Sequence, residues 1–179
     1  MAAYRKRNAD GPNSEDKALD LFAEMMIEKI ESIRKDWRKP WFTEGALPWP
    51  RNLHGREYNG MNALMLLLHC EKQGYTIPRF CTFDCVRRLN TPGKDGQELP
   101  RVSILRGEKS FPVMLTTFTC IHKETKEKIK YDEYKKLSEK GQEQYNVFPR
   151  MQVFRVFNVA QTNLREARPE LWEKLEQEV

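Results

Sequence analysis

The hydrophobic period of this chain changes once, near Pro100, and that change bounds what it can fold into. Before it, apolar residues recur every three or four positions, as at Leu19, Phe22, Met26, Ile30, Ile33 and Trp37. That spacing puts them on one face of a helix. Ser14 offers an N-cap, with Glu15 and Asp16 in the first turn, and Pro40 ends the segment. A turn at Asn59-Gly60 precedes a second, largely buried helix over residues 61–73, with Gly74 as its C-terminal cap. Thr82 caps a shorter third helix carrying Phe83, Val86 and Leu89. Beyond Pro100 the period is two: residues 102–106, 111–121 and 151–159 alternate and are rich in β-branched and aromatic side chains.

Residues 106–110 join the first two of these strands as a hairpin. A charged insertion, residues 122–144, separates the second and third strands and contains a short helix beginning near Asp132. Pro169 opens a last helix over residues 169–178, where it needs no N–H partner. Helices followed by strands predict an α+β domain, with N-terminal helices packed on an antiparallel sheet and a charged helical insertion before the last strand. Residues 1–13, polar and without an apolar period, read as a mobile arm, and residues 14–179 as one domain.

Composition narrows the classes further. With 39% hydrophobic residues the chain can bury a core, and its longest apolar run, residues 63–68, is far short of a membrane span. The basic N-terminus has no apolar stretch behind it, so no secretory signal is expected, and four irregularly spaced cysteines give no disulfide framework. Reduced thiols in a cytoplasmic protein follow. Cys81, Cys85, Cys120 and His122 match none of the usual structural zinc spacings, and no Ser, Cys or His lies in a recognisable catalytic pattern. No cofactor, metal or enzymatic activity is expected.

The net charge is +5, and its distribution says more than its size. Six Lys or Arg face three acids over residues 34–58, against three and five over residues 164–179. The basic stretch also holds three of the four tryptophans, Trp37, Trp41 and Trp49, interleaved with Pro40, Pro48 and Pro50. Rings that stack on any base, beside Arg and Lys that neutralise phosphate, suit single-stranded nucleic acid. Trp37 continues the first helix's stripe and reads as core. Trp41 and Trp49 either plug the gap between helices or stack on a ligand.

Arg38, Arg51, Arg56, Arg106 and Lys109 are either solvated charge or phosphate contacts. Gly107 between basic neighbours lets an anion approach the backbone. Asn52, Tyr58 and Asn62 divide between shaping turns and touching a ligand. Asn59 is a turn former. Asn158 and Gln161 either satisfy backbone groups of the Trp-Pro loop, residues 41–58, or reach a base or sugar.

Five pieces, in order, resemble one family. They are residues 37–41 (Trp-Arg-Lys-Pro-Trp), 51–62 (Arg-Asn-Leu-His-Gly-Arg-Glu-Tyr-Asn-Gly-Met-Asn), 80–83 (Phe-Cys-Thr-Phe), 106–109 (Arg-Gly-Glu-Lys) and 156–162 (Val-Phe-Asn-Val-Ala-Gln-Thr). Together they are similar to the N-terminal single-stranded-DNA-binding domain of ArdC-type antirestriction proteins of conjugative plasmids and mobile elements, over roughly residues 19–165. The resemblance implies sequence-tolerant binding of single-stranded DNA, with duplex DNA bound more weakly. It implies a link to antirestriction or DNA transfer in a bacterial cytoplasm. Arg38, Trp41, Arg51, Asn52, Arg56, Tyr58, Asn62, Arg106, Lys109 and Gln161 are the candidate contacts, and the resemblance raises Arg51, Arg56, Arg106 and Lys109 among them. The metallopeptidase-like domain that follows in such proteins carries His-Glu-x-x-His, which this chain lacks. Two other readings stand beside this one: a protein-interaction module, and an accessory fragment of a primase- or nuclease-type enzyme.

Overall fold

A computed structural model describes residues 13–35, 47–92, 96 and 99–179. The expected N-terminal arm and the residues Trp37, Arg38, Pro40 and Trp41 lie outside these. Among the described residues there are seven α-helices and a five-stranded sheet in the order β1 (Arg51–Asn52), β2 (Arg79–Thr82), β5 (Tyr145–Asn158), β3 (Phe111–His122) and β4 (Lys128–Ile129). The α+β class expected from the change of period is the class observed. The described residues divide into two compact units, one from residues 13–18 and 114–153 and one from those within 19–113 and 154–179.

Helix α1 spans Ser14–Lys35. Its cap is Asn13 rather than Ser14: the Asn13 Oδ1 accepts the Asp16 N–H at 2.8 Å. The buried stripe is Ala18, Phe22, Met25 and Lys29, turned from the expected one, so Leu19 and Ile30 are exposed. The turn of the stripe brings Lys29 inward, where its ammonium pairs with Glu71 at 2.7 Å. A second pair, Lys72 with Glu28 at 2.9 Å, also ties α1 to the next helix.

Helix α2, Gly60–Gln73, buries Ala63, Met65, Leu66, Leu67, Leu68 and Cys70, and ends at Gly74 in the left-handed conformation. Gly60, at φ 56°, supplies the left-handed turn residue. Asn59, expected in that role, is extended at the N-cap position, with φ −123°. Helix α3, Phe83–Leu89, is capped as expected, the Thr82 hydroxyl accepting the Cys85 N–H at 3.1 Å.

Two short strands lie where the sequence predicts none. Strand β1, Arg51–Asn52, runs parallel to β2, Arg79–Thr82. Strand β2 pairs antiparallel with the end of β5, Tyr145–Asn158. The hairpin expected from residues 102–106 does not form; only Ile104 makes an isolated bridge, to Thr162. Its backbone is engaged elsewhere: the Asn90 side chain bonds both the N–H and C=O of Val102 at 2.7 Å, and the Leu105 N–H donates to Gln161 O.

Val102 still packs into the core with Ile77, Cys81, Val86, Val159, Leu164, Ala167 and Leu175. Helices α6, Leu164–Ala167, and α7, Pro169–Gln177, close this core, with Pro169 in the first turn as expected.

The long strand β3, Phe111–His122, lies mostly in the other unit, where it pairs with β4, Lys128–Ile129. The insertion contains two short helices, α4 at Tyr131–Tyr134 and α5 at Glu139–Gln142. Phe118 stacks on Tyr131 at 4.5 Å, giving this unit its own aromatic cluster.

Candidate functional site

The basic, ring-bearing segment is an ordered loop clamped onto β2. The Arg51 N–H donates to Pro78 O at 3.0 Å and the Leu53 N–H to Phe80 O at 2.9 Å. Asn52 shapes the bend: its Oδ1 accepts the N–H groups of His54 and Arg56 at 3.0 and 2.9 Å, an Asx-type turn. Gly55 completes it with φ 89°. The Asn52 side chain therefore holds the loop in shape instead of reaching outward.

On this frame Arg56 is exposed, and Arg51 is half exposed with its guanidinium 2.7 Å from Glu57. Trp49 is 49% exposed, yet its indole N–H donates to Tyr58 O at 2.6 Å. The ring is thus fixed in direction while about half of the residue stays exposed. Tyr58 is half-buried, edge-on to Phe80 at 6.2 Å between centroids. Burial, reinforced by the nearby Cys81 and Cys85 thiols, pushes its hydroxyl up to about 12. Tyr58 is therefore neutral at physiological pH. Asn62 lies half-buried in the first turn of α2.

The second group is the turn Leu105–Glu108, closed by the Glu108 N–H on Leu105 O at 3.3 Å. Gly107 is at the third position with φ 89°, where a turn of this kind needs a positive φ. Arg106 and Lys109 flank it and are exposed.

Behind the turn sits Gln161, only 2% exposed. Its amide NH₂ donates to Glu108 Oε2 and Lys109 O at 2.8 and 2.9 Å, and its Oε1 accepts the Asn158 N–H at 2.8 Å. All its main hydrogen-bonding capacity is used internally. Asn158, fully buried, donates to Ile77 O at 2.9 Å and accepts from the Ala160 N–H. The pair satisfies backbone groups, as one sequence reading had it, but at the end of β5 rather than in the Trp-Pro loop.

Strand register relates the two groups. Asn52 pairs with Phe80, and Phe80 with Asn158, so Asn52 and Asn158 lie two strand spacings apart, about 10 Å. From Asn158 the contacts continue through Gln161 to Lys109. Arg51, Asn52, Arg56 and Tyr58 share one loop, and Arg106 and Lys109 share one turn, which Gln161 holds from behind.

Sequence reasoning missed Arg79. It is 6% exposed, its register partner is Arg51, and its guanidinium is paired with Glu178. Nothing in a lone Pro-Arg-Phe step marks a buried arginine.

The family model that describes the N-terminal domain of the anti-restriction factor ArdC matches residues 16–157. The chain belongs to this family. Two solved structures are similar to this ArdC-family chain, both of the antirestriction ArdC protein from plasmid R388. The metal-free form is 22% identical, with TM-score 0.48, covering 80% of this chain and 42% of that one. The Mn(II)-bound form is 23% identical, with TM-score 0.44, covering 80% and 40%. The chain thus spans about two fifths of the length of those ArdC proteins. No curated protein matches it.

Among the described residues no group of three or more His, Cys, Asp or Glu is placed to hold a metal ion. Likewise, no described helix is long and apolar enough to cross a membrane.

Proposed function

We propose that this ArdC-family domain binds single-stranded DNA along the loop of residues 49–62 and the turn of residues 105–109, as part of antirestriction by a mobile element. The observation that carries the reading is Trp49: a ring half exposed, held in direction by its indole hydrogen bond, with Arg51 and Arg56 on the same clamped loop. A fixed aromatic face beside guanidinium groups accepts successive bases without choosing among them, while the charges follow the phosphates. Arg106 and Lys109 add a second point of phosphate contact beside the backbone N–H groups of the Gly107 turn. Arg38 and Trp41 belong to the same reading. Asn52 and Gln161 are assigned to positioning, because their side chains are hydrogen-bonded to the protein. Membership in a family named for an anti-restriction factor supports the biological role.

Fluorescence anisotropy with labelled oligonucleotides tests the reading: single strands should bind more tightly than duplex, with little dependence on base sequence. Replacing Trp49 by Ala should weaken binding by about 1–3 kcal/mol, as for a lost stacking platform. A second reading, contact with another protein, is favoured by the exposed Leu115, Phe118, Phe148 and Met151 on β3 and β5. Absence of oligonucleotide binding at low salt would promote it.

A further inference from the structure

Arg51 and Arg79 are register partners on parallel strands β1 and β2, so their side chains leave the sheet on the same side. Two guanidinium groups so placed repel each other unless anions lie against them. Each has one: Glu57 for Arg51, and Glu178 for Arg79. Beside them is a cavity of about 80 Å³ lined by Pro48, Trp49, Arg51, Pro78, Arg79 and Glu178. At roughly 30 Å³ per water, this is space for two or three water molecules, or one compact anion.

The Arg79 side chain is 7% exposed, whereas that of Glu178 is 40% exposed. The cation is built into the fold, and the carboxylate is laid over it from outside. Glu178 is also the C-cap residue of α7, the end of a helix at which a negative charge is disfavoured. Its attachment therefore depends on Arg79 and not on its own helix. An anion that binds Arg79 as well as a carboxylate does can take its place.

We propose that Arg79 and Arg51 form a phosphate subsite beneath Trp49, and that the Glu178 carboxylate occupies it as an internal competitor for the strand. The ligand is one phosphodiester of a single-stranded nucleic acid, with the neighbouring base stacked on the Trp49 ring. Guanidinium suits this exchange, since its planar donors pair with carboxylate or phosphate oxygens alike. The inference rests on the reading of residues 49–62 as a single-strand interface, and it adds regulation: the end of α7 sets how readily the site opens.

The experiment compares the full chain with Glu178→Gln, Arg79→Met and the double variant. It uses anisotropy of a labelled oligothymidylate, and in parallel titration of inorganic phosphate followed by tryptophan fluorescence with Trp49→Phe as the blank. Glu178→Gln should bind the oligonucleotide roughly fivefold more tightly, the size of one partly exposed ion pair released from competition. Arg79→Met should bind more weakly and should abolish the gain from Glu178→Gln in the double variant.

If the wild type binds the strand and Glu178→Gln binds it no better, the pair is only a clamp on α7 and the proposal falls. That result stands even if Arg79→Met fails to fold. If no variant binds the strand, the single-strand reading fails, and the phosphate titration decides this one. A lower half-saturation for Glu178→Gln than for wild type, absent in Trp49→Phe, keeps the anion site; equal responses remove it.

Discussion

Replacing Gln161 by Met separates positioning from contact. Met fills similar volume, so no large cavity opens and the loss is confined to hydrogen bonds. Three are removed. The Asn158 N–H loses its acceptor inside a residue that is fully buried, at a cost of about 1–3 kcal/mol for an unsatisfied donor. The bonds to Glu108 Oε2 and Lys109 O contribute less, because exposed Glu108 and Lys109 can turn to water, about 0.5 kcal/mol each. The sum is about 2–4 kcal/mol, which for a chain of this length lowers Tm by roughly 5–15 °C.

Urea and thermal unfolding followed by circular dichroism would measure it. Single-strand affinity, measured well below Tm, should fall only through loosening of the 105–109 turn, roughly fivefold or less. Unchanged stability would refute the network argument. Unchanged stability with a large loss of affinity would make Gln161 a direct contact after all.

Two further predictions concern His69 and Gly107. His69 stacks on Phe111 at 4.3 Å between centroids, has Tyr75 on its edge, and its Nε2 has no partner among the described residues. Burial, with the Lys72 charge second, pushes its pKa down from 6.5 to about 4. The unfolded chain therefore takes up this proton first, and the stability present above pH 6.5 is lost as pH falls towards 4. The loss should be about 1–2 kcal/mol after allowing for the ring's partial exposure, and His69→Phe should remove that component; parallel pH profiles of the two proteins would contradict it. Gly107→Ala should cost about 1–2 kcal/mol, through the positive φ alone, since nothing lies within 4 Å of an added Cβ. A compensating stability gain in a melting experiment would show that the turn adopts another form.

What the sequence makes legible are features with short-range causes. Gly74 ends α2 because only a residue without Cβ takes a left-handed cap cheaply, and Thr82 caps α3 through its own hydroxyl. The period distinguishes helices from strands, but it does not set which side of α1 faces inward to within one residue. An ion pair with Glu71, 42 residues away, brings Lys29 into the buried stripe.

Strand β1 has two residues and β2 four, too few to carry a period, and β1 exists because β2 accepts it. Residues 102–106 alternate as a strand should, yet Asn90 and Gln161 take the backbone groups a hairpin needs. In the candidate site, the loop of residues 49–62 is legible from its mixture of rings, prolines and arginines. The roles of Asn52 and Gln161 were open between shaping and contact, and became readable only from their partners. Arg79, buried by the register of two strands, left no trace in its neighbours.

The central claim is that Arg56 and Lys109 follow the phosphates of one single strand. The slope of log affinity against log salt concentration tests it most directly, for wild type, Arg56→Ala, Lys109→Ala and the double variant. Each single-strand phosphate neutralised contributes about 0.7 to the slope, so each single variant should be shallower by about 0.7 and the double by about 1.4. Slopes equal to wild type in all three variants, with affinity intact, would mean that no strand passes this surface.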